Sequence, residues 1–128
     1  MSIKELKRVP TKYVRDKAKA NYRKADSCFI CNSSEKLDFH HYNSVSIMIS
    51  NWMKKTGVLP NDVLEWREQF IAEHMVELYD EAVTLCNEHH RLLHSIYGQE
   101  PPLFTAKKQI RWVEIQRQKN GNTKQPIQ

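Results

Sequence analysis

The sequence reads CFIC at residues 28–31, LDFHHY at 37–42 and AVTLCNEHHRLLH at 82–94. These three segments hold all three cysteines and five of the six histidines of a chain of 128 residues. An odd number of cysteines argues against a framework of disulfides, and clustered thiol and imidazole groups favour metal binding instead. Convergence of these segments on metal ions would therefore decide the fold.

Two pairs of residues in these segments have the same spacing. Cys28 and Cys31 are separated by two residues, and so are Cys86 and His89. A turn at each pair directs both ligand atoms to one side, and three thiolates with one imidazole satisfy tetrahedral zinc. The sequence predicts a structural zinc ion that joins two distant parts of the chain. The alternative, three buried cysteines without a metal, leaves both spacings unexplained.

Four further histidines accompany the predicted zinc ligands. His90 and His94 are four residues apart in a predicted helix, so they share one face and can share a second metal ion. His40 and His41 are adjacent in a predicted strand, so their side chains point to opposite faces. One of this doublet can join the metal, and the other, with an ordinary pKa of about 6.5, suits a general base. The alternative is a set of surface or core histidines without a catalytic role.

The order of these motifs resembles that of the HNH endonucleases, also called ββα-metal or His-Me finger nucleases. In that family a Cys-x2-Cys pair precedes a strand that ends in His-His or Asp-His, and a second Cys-x2-Cys pair, followed by histidine, begins a metal-binding helix. The resemblance covers residues 28–94 and implies metal-assisted hydrolysis of phosphodiester bonds, with the ion stabilising the leaving 3′ oxygen. His89 stands where most members have the fourth zinc cysteine, a role that histidine can fill.

The resemblance implies a role for each of the four remaining histidines. His41 matches the general base that activates water, and His40 and His90 match metal ligands of the catalytic site. His94 matches a further helix histidine of the colicin nucleases, and it would complete a three-histidine site for Mg²⁺, Mn²⁺ or another divalent ion. The products would carry 5′-phosphate and 3′-hydroxyl ends.

Two features depart from the HNH pattern. Glu81 occupies the position of the family's middle asparagine, which braces the loop that carries the base. Asn43 and Asn51 are candidate substitutes. The stretch between the two halves of the motif is also longer than usual, and its apolar periodicity predicts an inserted pair of helices over residues 44–79.

Charge is distributed unevenly along the chain. The formal net charge is +5, with +7 over residues 1–24, −7 over 25–103 and +5 over 104–128. Basic ends around an acidic middle predict a polyanionic partner, and the HNH resemblance indicates DNA, most simply double-stranded. Two solubilising basic termini are the alternative. The residues predicted to contact nucleic acid are Arg91, beside the site, and Lys107, Lys108 and Arg111.

Hydrophobic periodicity and helix-breaking residues predict the remaining elements. The predicted strands are 37–42 and 82–86, and the predicted helices are 3–24 (either continuous or broken into two pieces at Pro10), 44–56, 62–79, 88–97 and 105–117. The expected fold class is α+β and dominated by helix, with a zinc-stapled ββα-metal core and extra helices. One domain is expected to comprise a basic N-terminal arm (1–24), the core (28–97), a basic C-terminal helix (104–118) and a disordered tail (119–128).

Composition and charge limit the function. No apolar run reaches the roughly 20 residues of a membrane span, and the N-terminus lacks the apolar segment of a secretory signal, so an intracellular, cytoplasmic protein is expected. The expected function is a metal-dependent DNA endonuclease of the kind that phages or mobile elements encode, cutting one or both strands, alone, as a homodimer or with a protein partner. A non-catalytic zinc-stabilised DNA-binding module or adaptor would need only the zinc and the basic ends. An RNase or toxin nuclease of the same chemistry is the third possibility.

Overall fold

The computed structural model of the protein describes residues 3–121, with side chains from residue 9 onward. The helices in this range are α1 (Ile3–Ala18), α2 (Val45–Thr56), α3 (Val63–Glu73), α4 (Asn87–Tyr97) and α5 (Ala106–Lys119), and the strands are β1 (Leu37–His41) and β2 (Ala82–Cys86). The predicted α+β class, dominated by helix, is confirmed. The predicted tail begins inside α5, at Lys119, and most of it lies outside the described residues. None of the described helices has the length and apolar character needed to cross a membrane.

The two strands and the helix that follows them form a ββα arrangement. β1 and β2 pair in antiparallel fashion, with Leu37 opposite Cys86 and His41 opposite Ala82. α4 begins directly after β2, and the Cys86 side chain accepts a hydrogen bond from the His89 N–H as its N-cap. The histidine doublet of β1 and the first turns of α4 therefore belong to one small unit, as predicted.

α1 is one continuous helix, which decides between the two alternatives that the sequence left open, a single helix or two pieces broken at Pro10. Pro10, Val14 and Ala18 are spaced four residues apart and are buried. α1 packs against α2 and α3, and this burial offsets a proline that costs about 3 kcal/mol in a helix interior. The helix is also shorter than predicted, because a 3-10 turn over Lys19–Asn21 follows it and Tyr22 is extended.

The predicted helix over 62–79 is interrupted in the structure. α3 ends at Glu73, and a π-helical turn over Val76–Asp80 leads to β2. Leu78 and Tyr79 lie in this turn and are both buried. The packing of these two consecutive side chains therefore overrides the regular helical periodicity that the sequence displays.

The buried apolar residues form two clusters. The first is built by α1, α2, α3 and the π-helical turn, and it contains Trp52 and Trp66. The second joins the Cys28–Cys31 turn, β2, α4 and α5, and it contains Leu93 and Val113. The N-terminal helix is thus tied to the inserted helices, whereas the C-terminal helix is tied to the ββα unit.

Candidate metal centres and catalytic cleft

The predicted zinc ligands converge in what we call the Cys3His cluster. The ligand atoms of Cys28, Cys31, Cys86 and His89 all lie within 4.8 Å of one another. The Cys31 and Cys86 sulfurs are 3.9 Å apart, and Cys86 Sγ lies 3.3 Å from His89 Nδ1. Tetrahedral zinc with Zn–S bonds of about 2.3 Å separates two sulfurs by about 3.8 Å. The donor set and its spacing therefore fit a structural zinc ion.

Two tight turns position the ligands of the Cys3His cluster. The backbone N–H groups of Ile30 and His89 donate to the sulfurs of Cys28 and Cys86 at 3.4 and 3.5 Å. Asn32 closes the first turn with a left-handed φ of 64°. Burial raises the pKa of the Cys28 thiol, but backbone hydrogen bonds outweigh it and lower that pKa overall. The turn thus favours the thiolate of Cys28, the form that binds zinc, whereas burial raises the pKa of Cys31 to about 11.

Three of the remaining histidines form what we call the three-histidine cluster, with His40 on β1 and His90 and His94 on α4. His90 Nε2 lies 3.1 Å from both His40 Nδ1 and His94 Nε2. Nitrogens bound about 2.1 Å from one divalent ion are about 3.0–3.4 Å apart. His40 is buried, whereas His90 and His94 are half-buried. The cluster therefore fits a divalent ion that keeps positions free for water or phosphate.

Each imidazole of the three-histidine cluster is anchored through the nitrogen that faces away from the other two. The three contacts are His40 Nε2 with Gln109 Oε1 at 2.8 Å, His90 Nδ1 with Asp38 Oδ2 at 3.1 Å and His94 Nδ1 with Gly98 O at 2.7 Å. Carboxylate and carbonyl oxygens only accept hydrogen bonds, so His90 and His94 donate through Nδ1. Their Nε2 lone pairs consequently point to the centre of the cluster.

Burial keeps two members of the three-histidine cluster, His40 and His90, neutral. Together with the neighbouring histidines, it lowers the pKa of His40 to about 3. Burial also lowers the pKa of His90, although the hydrogen bond to Asp38 acts in the opposite direction. Neutral imidazole is the form that binds metal ions. His40 and His90 are therefore in their metal-binding form at neutral pH.

His41 occupies the end of β1, next to the three-histidine cluster. Its Nε2 is buried and has no hydrogen-bond partner among the described residues. The ring is hydrogen-bonded to the backbone of Leu78, so that bond involves Nδ1, and Tyr22 packs against the ring with centroids 5.0 Å apart. Burial and the nearby Arg15 guanidinium lower the pKa of His41 to about 4. His41 is therefore neutral at pH 7, with a lone pair at Nε2.

A cleft of about 1100 Å³ is lined by α1, β1 and α4, and it contains both His41 and the three-histidine cluster. Lys12 and Arg15 of α1 and Lys19 of the 3-10 turn that follows it also line the cleft. Lys12 pairs with Asp16 at 3.2 Å, whereas no described carboxylate pairs with Arg15. Arg91 of α4 also lines the cleft. Positive charge thus borders the histidines on two sides of the cleft.

The other basic residues that were predicted to contact nucleic acid lie elsewhere. Lys107, Lys108 and Arg111 are exposed on α5, and they are absent from the lining of the cleft. Helix α5 instead turns Gln109 inward, toward His40. Of the four predicted residues, the structure places only Arg91 beside the histidines, and α1 supplies basic residues that the sequence pattern did not single out.

Glu81, at the position of the middle asparagine of the HNH family, connects the adjoining ends of the two strands. Its Oε1 accepts a hydrogen bond from Asn43 Nδ2 at 2.8 Å, and its backbone oxygen accepts one from the Tyr42 N–H at 3.2 Å. Tyr42 and Asn43 directly follow His41 in the chain. Glu81 therefore braces the segment that carries His41, with Asn43 as its partner.

The sequence interpretation missed the groups that anchor the three-histidine cluster. Asp38 had a signal, because it lies two residues before His40 and therefore on the same face of the strand. Gln109 lies 69 residues from His40 along the chain, and no local pattern connects the two. Gly98 was predicted to end α4, but only the folded helix shows that its carbonyl oxygen contacts His94 Nδ1.

The fold and the two clusters define a class of protein: a ββα unit with a closed site suited to structural zinc and an open site suited to a second divalent ion. The sequence model of the phage T5 nicking endonucleases, described as the nicking endonuclease family, matches residues 1–126. The chain therefore belongs to the nicking endonuclease family and is an endonuclease that cleaves DNA. The predicted endonuclease activity is confirmed at this level, and the name of the family agrees with the predicted phage origin. No solved structure matches the chain.

Proposed function

We propose that this nicking endonuclease is an HNH-type enzyme that hydrolyses one strand of double-stranded DNA. The observation that supports it best is the presence, in one cleft, of the three-histidine cluster and the unpartnered Nε2 of His41. A metal site and a neutral base at adjacent positions are the two groups that metal-assisted phosphodiester hydrolysis requires. One such site cuts one strand at a time, which agrees with the family description.

His40, His90 and His94 would hold the catalytic ion, Mg²⁺, Mn²⁺ or another divalent ion. When bound there, the ion supplies positive charge that stabilises the leaving 3′ oxygen. The protein's own contribution is to orient the ligands. Asp38 and Gly98 hold the Nδ1–H groups of His90 and His94, and outer partners of this kind typically change metal affinity by about 10- to 100-fold.

His41 is the proposed general base. The hydrogen bond to the Leu78 backbone holds the tautomer in which Nε2 accepts the proton of the attacking water. The lowered pKa keeps this atom unprotonated at neutral pH. An anionic phosphate entering the cleft would oppose the effect of Arg15 and raise the pKa toward the range in which proton transfer is efficient. The products would carry 5′-phosphate and 3′-hydroxyl ends.

Basic side chains on the two walls of the cleft would hold the DNA backbone. Arg15 on α1 and Arg91 on α4 line the cleft, so both are suited to phosphates near the cleavage site. Lys107, Lys108 and Arg111 would contact the duplex beyond the cleft, because they are exposed on α5. Contacts of this kind give affinity and register without sequence specificity.

The Cys3His cluster would hold zinc in a purely structural role, because four protein ligands complete a tetrahedral coordination shell. We further propose that the chain forms one domain with the predicted arm, core and C-terminal helix, and that it acts on DNA inside the host cell of a phage. Nicking needs a single active site. A homodimer or a protein partner, which the sequence left open, is therefore not required for the proposed reaction.

The test is cleavage of supercoiled plasmid by the wild type and by His41→Ala, each with EDTA, Mg²⁺, Mn²⁺ or Ni²⁺. We expect nicked circles that require a divalent ion, and a rate at least about 100-fold lower in His41→Ala, the usual contribution of a general base. His74→Ala is the matched control, because His74 contacts the Phe70 carbonyl and does not line the cleft. Zinc per chain is measured for all three proteins.

The outcomes separate the parts of the proposal. Folded, zinc-containing His41→Ala that cleaves at the wild-type rate would refute the assignment of the base. Cleavage in EDTA after dialysis would refute the metal-assisted reaction. A wild type that binds duplex DNA but cuts neither strand with any of the ions would favour the DNA-binding module instead.

A further inference from the structure

We propose that Gln109 of α5 is a positioning residue that selects the tautomer of His40 and thereby directs its Nδ1 lone pair toward the catalytic metal. This inference rests on the proposed function, because it concerns the same three-histidine cluster. Gln109 is 0% exposed although it is polar and belongs to a helix with a basic, solvated face. A fully buried amide of this kind is costly to desolvate unless all its hydrogen bonds are made.

The orientation of the Gln109 amide follows from its partners. Gln109 Nε2 lies 3.1 Å from Tyr42 O and 2.9 Å from Thr105 Oγ1. Tyr42 O is a carbonyl oxygen and can only accept. Thr105 Oγ1 already donates its hydrogen to Pro102 O at 2.6 Å, so it also accepts from the amide. Both N–H bonds of the amide are therefore assigned, and the amide oxygen faces His40.

The orientation of the amide in turn determines the tautomer of His40. Gln109 Oε1 lies 2.8 Å from His40 Nε2, and this oxygen can only accept. His40 Nε2 must therefore carry the hydrogen, which leaves the lone pair at Nδ1. Nδ1 is the atom that faces His90 Nε2, at 3.1 Å. With the opposite tautomer, an N–H bond would point into the centre of the cluster and block metal binding.

This arrangement gives α5 a role in the catalytic site. The helix contributes no metal ligand and does not line the cleft near the histidines. It nevertheless holds the innermost ligand, because Gln109 links His40 to Thr105 at the start of α5 and to the chain segment that follows β1. A shorter asparagine at position 109 would lack one methylene and could not span both sets of partners.

The first test uses the zinc-containing wild type without any second metal. Long-range ¹H–¹⁵N correlation spectra of the imidazole rings report which nitrogen carries the hydrogen. We expect His40 to be in the Nε2–H tautomer. A His40 signal of the Nδ1–H tautomer would overturn the inference, and this measurement needs no variant to fold.

The second test titrates Ni²⁺ into zinc-containing protein by calorimetry and compares Gln109→Met with the wild type. Methionine has a similar length but offers His40 no oxygen, so we expect the affinity for Ni²⁺ to fall by about 10-fold or more and the His40 tautomer to become mixed. Gln116→Met is the matched control, since it makes the same change on α5 outside the cluster.

The readouts distinguish this inference from the proposed function. A wild type that does not bind Ni²⁺ would refute the proposed metal site, while the tautomer of His40 would still decide the role of Gln109. A folded Gln109→Met that keeps both the wild-type tautomer and the wild-type Ni²⁺ affinity would refute the positioning role alone. If Gln109→Met does not fold, the tautomer of His40 in the wild type decides whether Gln109 has the positioning role.

Discussion

The Cys3His cluster and the three-histidine cluster both take ligands from the ββα unit, yet they are suited to different tasks. The Cys3His cluster offers four ligands, and backbone N–H groups at its two turns donate to the sulfurs. The three-histidine cluster offers three ligands, lines a cleft, and is anchored from outside by the acceptor oxygens of Asp38, Gln109 and Gly98. Donors aimed at thiolates stabilise a closed site, whereas acceptors behind imidazoles direct lone pairs into an open one.

The two clusters also differ in what a bound metal would contribute: stability of the fold at the Cys3His cluster and catalysis at the three-histidine cluster. Zinc at the Cys3His cluster would join the Cys28–Cys31 turn to α4, which are more than 50 residues apart in the sequence. The three-histidine cluster joins β1 to α4, two elements that the sheet and the second apolar cluster already hold together. Loss of the first metal should therefore unfold the ββα unit, and loss of the second should leave the fold in place.

The largest effect is expected when the Cys3His cluster is broken. We expect Cys86→Ala to lose zinc and cooperative unfolding, because structural zinc contributes an apparent free energy of about 10–16 kcal/mol in small zinc-binding units, comparable to the whole stability of a domain. Thermal melting followed by circular dichroism, together with zinc per chain, checks this. Leu92→Ala, at an exposed position on the helix that follows Cys86, is the control. A Cys86→Ala variant that unfolds cooperatively at the wild-type melting temperature would contradict the structural role of zinc at the Cys3His cluster.

A smaller effect on stability, with a large effect on chemistry, is expected at the three-histidine cluster. We expect His94→Ala to bind Ni²⁺ at least about 10-fold more weakly, because a lost ligand should cost no less than a lost outer partner, and to nick plasmid correspondingly more slowly. Its melting temperature and zinc content should stay close to those of Ser95→Ala, the exposed neighbour used as control. If His94→Ala lost stability as Cys86→Ala is expected to, the contrast between the clusters would fail.

The smallest effect is expected on the wall of the cleft. We expect Arg15→Gln to weaken binding of duplex DNA several-fold and to reduce the slope of log K against log salt by about 0.9, the value for one phosphate contact. Lys17→Gln removes the same charge from the same helix, but Lys17 pairs with Glu68 at 3.7 Å and does not line the cleft. Both substitutions are made in the His41→Ala protein. Fluorescence anisotropy over a series of salt concentrations then measures the affinity for duplex DNA and the slope for each variant. Equal slopes for the two variants would show that Arg15 does not contact a DNA phosphate.

The sequence was informative wherever ligands follow one another at short, fixed intervals. The two residue pairs of the Cys3His cluster, the histidine doublet and the pair on α4 could be predicted, because a turn, a strand or a helix determines which neighbours share a side. The two strands could be predicted for the same reason. These features depend only on local geometry, which the spacing of residues records.

The remaining features depend on packing between distant segments, which local patterns do not record. The sequence left open whether Pro10 breaks the first helix, and burial of the helix face that contains Pro10 outweighs the lost hydrogen bond. Leu78 and Tyr79 enter the core together through a π-helical turn. Gln109 looked like one more polar residue of a basic helix, and Arg15 like one of many positive charges. Only the tertiary fold brings both of them to the histidines.

The first turn of α4 has a consequence for how this protein can evolve. His89 and His90 are adjacent, yet one belongs to the Cys3His cluster and the other to the three-histidine cluster, because each residue turns a helix by about 100°. An insertion or deletion of one residue here would rotate every later side chain by that angle and remove His90 and His94 from their cluster. Homologous genes should therefore vary freely in length between β1 and β2 and keep the interval from Cys86 to His94 constant.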